Sequence, residues 1–348
     1  MRWWVFAVPS RAISAAQLAC AAAFHVVLRQ APEVEATLAA LTVGGLFGVA
    51  IAWVGIIYGF APSGRVVVGL GAWYFMGVLL DKRPRTPPRP RELSRFEAMA
   101  EAFYAASFRY FPMTLSVAAE TKAVMTNKLV FAVHPHGIHC FPLNMFGFRS
   151  SPLRREFPEL RCVGLAATVI FLLPGIREIF MWMGYVDASR QVARRALDAG
   201  NSIYVCTGGE RESMVAKPGV DVVVLKARKG FVRLALAAGA DIVPVFGFGN
   251  ADLFPTYGFA QAARDWLQAT LSIALPIFHG RFVVTPLPYR KPLHVALGPP
   301  VLLPKPPPNA PADWPPPKVV DEAHARYVDA VKLLHKKHAH PGRMLEII

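Results

Sequence analysis

"LVFAVHPHGIHCFP", Leu129 to Pro142, is an apolar, β-branched run that leads directly into three histidines. The run predicts a buried strand over Lys128–Val133, and Pro135 and Gly137 then predict a sharp turn. In layered α/β domains the loops that leave the carboxyl ends of strands carry the chemistry. We therefore expect the histidines to lie at a functional edge of a sheet.

The three histidines, His134, His136 and His139, allow three interpretations. As metal ligands they would need supporting carboxylates at a matching spacing, and the sequence shows no such cluster. As turn residues they would only cap backbone groups. As a general base, one imidazole would take a proton from a hydroxyl, a task that its ordinary pKa of about 6.5 suits. At this point the residues leave all three open.

Strand-like and helix-like segments alternate beyond the N-terminal third of the chain. The other predicted strands are Leu160–Ala167, Ser202–Cys206, Val220–Leu225 and Asp241–Gly249. The predicted helices are Ser189–Gly200, with a capping serine and an apolar stripe, then Gly230–Gly239 and Asp321–Lys337. This alternation predicts an α/β domain of layered sheet and helices.

A second polar cluster, "CTGGERES" (Cys206–Ser213), follows the predicted strand Ser202–Cys206. The adjacent glycines, Gly208 and Gly209, let backbone N–H groups converge on an anion or an oxyanion. A glutamate beyond them, Glu212, would orient a histidine or bind a substrate hydroxyl. By itself the cluster is equally typical of a polar hairpin loop.

A third cluster, "KARKGFVRLA", runs from Lys226 to Ala235. Arg228 and Lys229 precede Gly230 at the start of a predicted helix, and helix N-termini attract phosphate. Taken alone, the cluster is a basic surface turn.

The N-terminal part of the chain is strongly apolar: residues 36–64 carry no charge, and a second apolar run follows to Leu80. About 20 apolar residues span a bilayer, so residues 36–80 are predicted to form a membrane hairpin, transmembrane or re-entrant. The basic, proline-rich residues 81–91 then predict a cytosolic linker. For residues 1–35 we expect an interfacial helix, a third membrane segment or a cleaved signal peptide. For residues 92–348 we expect the catalytic domain.

Composition narrows the class of protein further. The net charge of +15 and a hydrophobic fraction of 54% favour membrane lipids over nucleic acid, since no nucleic-acid-binding motif is present. The four cysteines, Cys20, Cys140, Cys162 and Cys206, show no metal-ligand spacing and are predicted to be free thiols.

Several motifs occur in an order that resembles the diacylglycerol O-acyltransferase type 2 family, which includes monoacylglycerol and wax-alcohol acyltransferases. They are YFP (110–112), HPHGI (134–138), GG followed by ES (208–213), RKGFVRLAL (228–236), VPVFGFG (243–249), HGR (279–281) and PYRKPLHVALGPPVLLPK (288–305). The resemblance implies an acyl-CoA-dependent O-acyltransferase of the endoplasmic reticulum membrane, extending to lipid droplets, with a glycerolipid acyltransferase-like domain facing the cytosol. Its partners would be acyl-CoA, a lipid acceptor and membrane lipids, and it would need no metal and no other cofactor.

The resemblance also implies the site. The catalytic residues would be His136 as general base, His134 as its support and Glu212 as the orienting acid. The substrate-binding residues would be Pro135, Gly137, Gly208, Gly209, Arg228, Lys229, Gly230 and Phe231.

Two departures from related enzymes affect this assignment. Distantly similar glycerolipid acyltransferases have an aspartate five positions after the histidine, where this chain has Phe141 after His136. The family often has glutamate at the position of Asn250, so we expect that side chain to be inessential to the chemistry.

Alternatives of other classes are a metal-dependent membrane hydrolase built on the three histidines and a non-catalytic lipid-droplet scaffold. The absence of a GxSxG motif counts against a serine esterase. The acceptor stays open among diacylglycerol, monoacylglycerol and a long-chain alcohol, and so does homo-oligomerisation.

Overall fold

The computed structural model describes residues 110–348, apart from 126–127, 174–175, 272–273, 282–286 and 312–313, together with a few positions between 76 and 108. The predicted segment 1–35, almost all of the predicted hairpin and about half of the predicted linker lie outside the described residues. Within the part that is described, no helix has the length and apolar character needed to cross a membrane.

The described residues contain nine strands, which form two sheets. They are β1 (Met113–Val117), β2 (Leu129–His134), β3 (Cys162–Ala166), β4 (Tyr185–Asp187), β5 (Ser202–Cys206), β6 (Val220–Val223), β7 (Asp241–Phe248), β8 (Leu293–Leu297) and β9 (Met344–Ile347). Seven of them pair in the order β1-β8-β7-β2-β5-β3-β4, and β6 pairs with β9 in a separate parallel ribbon. Within the large sheet only the β7–β8 pair is antiparallel.

Strand β2 occupies the middle of the large sheet because all six of its side chains are buried. A strand that is apolar on both faces is stable only where helices cover both sides of a parallel sheet. Its neighbours β5 and β7 run parallel to it, with Val133 opposite Cys206 and His134 opposite Phe246.

Between residues 119 and 338, the described part of the chain forms nine α-helices around the sheet. They are α1 (Ala119–Ala123), α2 (Asn144–Gly147), α3 (Pro152–Glu156), α4 (Ile176–Trp182), α5 (Arg190–Asp198), α6 (Arg211–Val215), α7 (Gly230–Ala238), α8 (Gln261–Leu271) and α9 (Pro317–His338). The core cluster that holds the apolar sides of α5, α7 and α9 against β2 and β7 includes Val192, Leu236, Tyr327 and Val331. A second cluster fills the space around Phe131, Phe146 and Tyr204.

The predicted α/β class is confirmed, and every strand and helix predicted between Lys128 and Lys337 is present with ends shifted by at most a few residues. The apolar stripe of α5 is buried as predicted, at Val192, Ala193, Ala196 and Leu197. Ser189 does precede α5, but its side chain makes no capping hydrogen bond. Strands β1, β4, β8 and β9 were not predicted.

Candidate active site

Two of the predicted clusters meet at the carboxyl edge of the large sheet. Strands β2 and β5 are parallel neighbours, so the loop after His134 and the loop after Cys206 leave the sheet side by side. The structure therefore brings His136 and Glu212 together, 76 positions apart in the chain, through a hydrogen bond.

His136 presents one free ring nitrogen. Its Nδ1 lies 2.9 Å from the carbonyl oxygen of Gly137. Because a carbonyl oxygen only accepts, this contact places the proton on Nδ1 and leaves the lone pair on Nε2. The ring is partly exposed, so Nε2 is the group of this loop that can receive a proton from a substrate.

Glu212 fixes the backbone of this loop rather than the His136 ring. One carboxylate oxygen, Oε2, accepts the backbone N–H of His136 at 2.6 Å. The other, Oε1, accepts the N–H of Val224 at 2.9 Å. The side chain is fully buried, which makes hydrogen bonds to its charge strong. The acid thus holds the base indirectly, through the turn that carries it.

His134 has no exposed surface and lies behind the reactive turn. Its Nδ1 faces Glu212 Oε1 at 3.5 Å, a separation too long for a good hydrogen bond. Its Nε2 lies 3.0 Å from the Tyr327 hydroxyl and 3.1 Å from the Thr207 hydroxyl. His134 is therefore placed to support the site and not to touch a substrate.

Asn250 clamps the same turn from the side of β7. Its Nδ2 donates to the carbonyl oxygens of Pro135 and His136 at 3.1 and 3.0 Å, and its Oδ1 accepts from Phe141 N at 3.3 Å. A Cβ on Gly137, whose φ is +57°, would come within 2.8 Å of this amide. Our expectation that Asn250 is inessential overlooked this positioning role, because a contact across 114 residues leaves no local signal.

The two glycines after β5 have different roles. A side chain on Gly208 would overlap the carboxylate of Glu212. Gly209, with φ +63°, donates its amide to Cys206 O at 3.1 Å. Of the two glycines predicted to supply oxyanion donors, Gly209 therefore already uses its amide within the turn.

His139 and the cysteines line the back of the turn. The His139 ring packs against Phe141 at 4.6 Å, and burial, with the nearby charge of His136, lowers its pKa to about 4. The thiols of Cys206 and Cys140 touch at 2.6 Å, and burial raises the pKa of Cys206. Cys140, Cys162 and Cys206 are free, as predicted, while Cys20 lies outside the described residues.

The basic turn lies at the same end of the sheet. Helix α7 ends at Ala238, next to the start of β7, so its N-terminus at Gly230 points back toward the carboxyl edge. Lys229 forms an ion pair with Asp321 at 2.8 Å, whereas Arg228 is exposed. Phe231 packs on the ring of Tyr327 at 4.9 Å and so supports the residue that touches His134.

The chemistry that this arrangement supports is deprotonation of a hydroxyl. A partly exposed imidazole has a free nitrogen, a buried carboxylate fixes its backbone, and glycine amides lie beside it. The three histidine rings contact different partners. Among the described residues, no cluster of three His, Cys, Asp or Glu side chains is arranged to bind a metal ion. The arrangement is of the kind that general-base enzymes such as transferases and hydrolases use.

Comparison with known proteins gives the family. The family model described as "Diacylglycerol acyltransferase" matches residues 58–344. This chain belongs to the diacylglycerol acyltransferase family, which confirms the family predicted from its motifs and makes it an acyl-transferring enzyme.

Similar curated proteins carry the name diacylglycerol O-acyltransferase 2. The protein from Xenopus tropicalis is 30% identical over 69% of this chain and 69% of its own length. Those from Danio rerio and Homo sapiens are 33% and 31% identical over 65% and 66% of this chain, covering 64% and 61% of their own lengths. The chain thus spans between 61% and 69% of these relatives.

A solved structure of the 1-acyl-sn-glycerophosphate acyltransferase PlsC from Thermotoga maritima also aligns with this chain. The identity is 16% and the TM-score 0.41, over 86% of this chain and 98% of that one.

Proposed function

We propose that this enzyme transfers a fatty acyl group from acyl-CoA directly to the free hydroxyl of diacylglycerol, making triacylglycerol. The relatives named above support the substrate class. The observation that carries the mechanism is the hydrogen bond from His136 Nδ1 to Gly137 O, because it leaves Nε2 unprotonated on a partly exposed ring.

In the proposed mechanism, Nε2 of His136 takes the proton of the acceptor hydroxyl while its oxygen attacks the thioester carbonyl carbon. The amides of Gly137 and Gly208 donate to the resulting oxyanion. The tetrahedral intermediate then collapses, the carbon–sulfur bond breaks, and the imidazolium returns its proton to the departing CoA sulfur. Glu212 and Asn250 keep the turn in place throughout.

The basic turn is the proposed contact for the CoA phosphates. Arg228 is exposed at the N-terminal end of α7, where charge and helix dipole both favour an anion. Because the thioester arrives already activated, the mechanism calls for no metal and no redox cofactor.

We place this enzyme in the endoplasmic reticulum membrane, with its catalytic domain in the cytosol and with lipid droplets as a further location. The uncharged run 36–64 and the cationic residues 82–91 support this placement.

Expression in a host that lacks neutral-lipid synthesis tests the proposal. We expect triacylglycerol to accumulate with the wild-type enzyme and not with a His136→Ala variant expressed at the same level. Wax ester in place of triacylglycerol would change the acceptor to a long-chain alcohol. Diacylglycerol formed from added monoacylglycerol, without further acylation, would change it to monoacylglycerol. No neutral lipid with any acceptor would refute the function.

A further inference from the structure

A group of exposed apolar side chains lies just beyond the carboxyl end of β3. Val169, Leu172 and Leu173 are between 39% and 42% exposed, on and directly after the 3₁₀ helix Thr168–Leu172. We call these three side chains the 169–173 surface. Three large neighbouring apolar groups in contact with solvent are unfavourable, and such patches mark interaction sites.

The position of this surface relates it to the candidate active site. Strand β3 is parallel to β5, which is parallel to β2, so the 169–173 surface leaves the same edge of the sheet as His136. Adjacent strands are about 4.8 Å apart, which puts the carboxyl ends of β3 and β2 roughly 10 Å apart. A lipid whose acyl chains contact this surface would need to move only a short distance to place its hydroxyl at Nε2 of His136.

The same region contacts the segment that directly follows the predicted membrane hairpin. Arg177, buried in α4, forms an ion pair with Asp81, and Asp81 also pairs with Arg83. Met76 and Leu80, at the end of the predicted hairpin, are 56% and 71% exposed. Exposed apolar groups from two separate parts of the chain are thus connected by this ion pair.

Charge favours a bilayer as the occupant of the surface. Arg83 and Arg85 are exposed beside the Arg177–Asp81 pair, and cations next to an apolar patch match anionic headgroups above acyl chains.

We propose that the 169–173 surface rests in the bilayer interface and that the lipid acceptor enters the candidate active site from there. The bilayer contact stands on exposure, topology and charge, and does not depend on the proposed function. The entry route rests on the proposed function.

Photo-crosslinking tests the bilayer contact without any activity. The full chain is reconstituted in phosphatidylcholine vesicles with a minor fraction of phosphatidylserine, doped with a lipid that carries a diazirine in its acyl chain. After irradiation and digestion, we expect labelled peptides from 167–183. A second exposed apolar group, Tyr257, Phe259, Trp266 and Leu275, serves as the internal comparison. Absence of label from 167–183, with label in 257–275 or the hairpin alone, would overturn the proposal.

Kinetics test the entry route. Replacing Val169, Leu172 and Leu173 by serine should raise the KM for the lipid acceptor about tenfold and leave the KM for acyl-CoA unchanged, because only the acceptor crosses this surface. Leu333→Ser, at another exposed apolar position on α9, is the control and should change neither. Unchanged acceptor KM, or an equal rise for both substrates, would refute the entry route. A wild-type enzyme without transferase activity would refute the proposed function and leave the crosslinking result to decide the bilayer contact.

Discussion

At the scale of single residues, the three histidines of one loop have three different environments. His136 is partly exposed with a free Nε2, His134 is enclosed, and His139 packs against Phe141. Loss of a general base typically lowers the rate about 10²–10⁴-fold. We therefore expect His136→Ala to abolish most turnover, His134→Ala to be less severe, and His139→Ala to be mild.

Acyl transfer in microsomes, normalised to the amount of enzyme, measures these differences. His139→Ala is the matched control because it removes an imidazole from the same loop. Near-normal turnover of His136→Ala would contradict the base assignment, while equal collapse of all three variants would favour a metal site.

Alanine substitutions at two separate glycines test the role of Glu212. In Gly208→Ala the new methyl group overlaps the carboxylate that holds the His136 amide, so the acid must move. Loss of a hydrogen bond to a charged group costs about 1.5–3 kcal/mol, and we expect turnover to fall at least tenfold. Gly258→Ala is the control, because Gly258 lies outside the candidate site and a Cβ there meets nothing within 4 Å. Similar activity in the two variants would show that the position of Glu212 does not matter.

At the scale of elements, the ribbon β6–β9 is joined to α9 by a buried ion cluster. Asp221 on β6 accepts from Arg343 at 2.7 Å and from His335 at 3.0 Å, and Arg343 also binds Asp252 at 2.7 Å. Burial alone would raise the pKa of Asp221, but the hydrogen bonds from His335 and Arg343 outweigh it, so the pKa is lowered. The ionised form therefore stabilises the fold.

A lowered carboxyl pKa gives stability that is present above the ordinary aspartate value, about 3.9, and is lost as the pH falls through the folded-state value. Asp221→Asn should lower the free energy of unfolding by about 3 kcal/mol at neutral pH. The difference from wild type should shrink as the pH falls below about 4. Thermal unfolding in detergent at several pH values measures this. Asp329→Asn, which breaks an exposed pair with Lys332 on α9, should have almost no effect. A pH-independent difference for Asp221→Asn would contradict the linkage.

The basic turn before α7 is predicted to bind acyl-CoA. Because Lys229 is already paired with Asp321 and Arg228 is exposed, Arg228→Ala should raise the KM for acyl-CoA about tenfold and Lys229→Ala should raise it less. Arg194→Ala, which breaks a surface pair with Asp198 on α5, is the control and should leave this KM unchanged. A rise in the acceptor KM instead would show that the turn does not bind CoA.

The elements that could be predicted from the sequence are those with a strong local pattern. Strands β2, β5 and β7 are apolar runs, and α5 has a clear stripe. Strands β1 and β4 lie at the edges of the large sheet, where short, partly polar segments suffice, and β8 directly follows Pro292. Strand β9 alternates exposed and half-buried residues over only four positions. Such strands depend on their partners and not on their own composition.

In the candidate site, too, some residues could be predicted from the sequence and others could not. Residue type and spacing were enough to identify the turn at His136, the glycine pair and the basic turn. Groups that hold them, such as Tyr327 and Asn250, lie far away in the chain, and the fold alone brings them near. Sequence thus identified the candidate groups, whose reactivity stays a prediction, and structure added the groups that position them.

At the scale of the whole molecule, the ion pair between Arg177 and Asp81 connects the catalytic domain to the residues that follow the predicted hairpin. A domain held this way must be on the same side of the membrane as Asp81. The cationic residues 82–91 favour the cytosol for that side. The basic charge of the chain and the location proposed for acyl-CoA binding agree with this orientation.

Protease protection in sealed microsomes tests that topology. We expect a tag after Ile348 to be digested without detergent, because the predicted hairpin over 36–80 returns the chain to the cytosolic side. A tag inserted in the turn between the two predicted legs, Ala61–Arg65, should be protected if the hairpin spans the bilayer or dips into it. This second tag is the control for sealed vesicles, since both tags must be digested once detergent is added. Protection of the tag after Ile348 until detergent is added would show that the catalytic domain faces the lumen, and both the hairpin and the cytosolic supply of acyl-CoA would then be wrong.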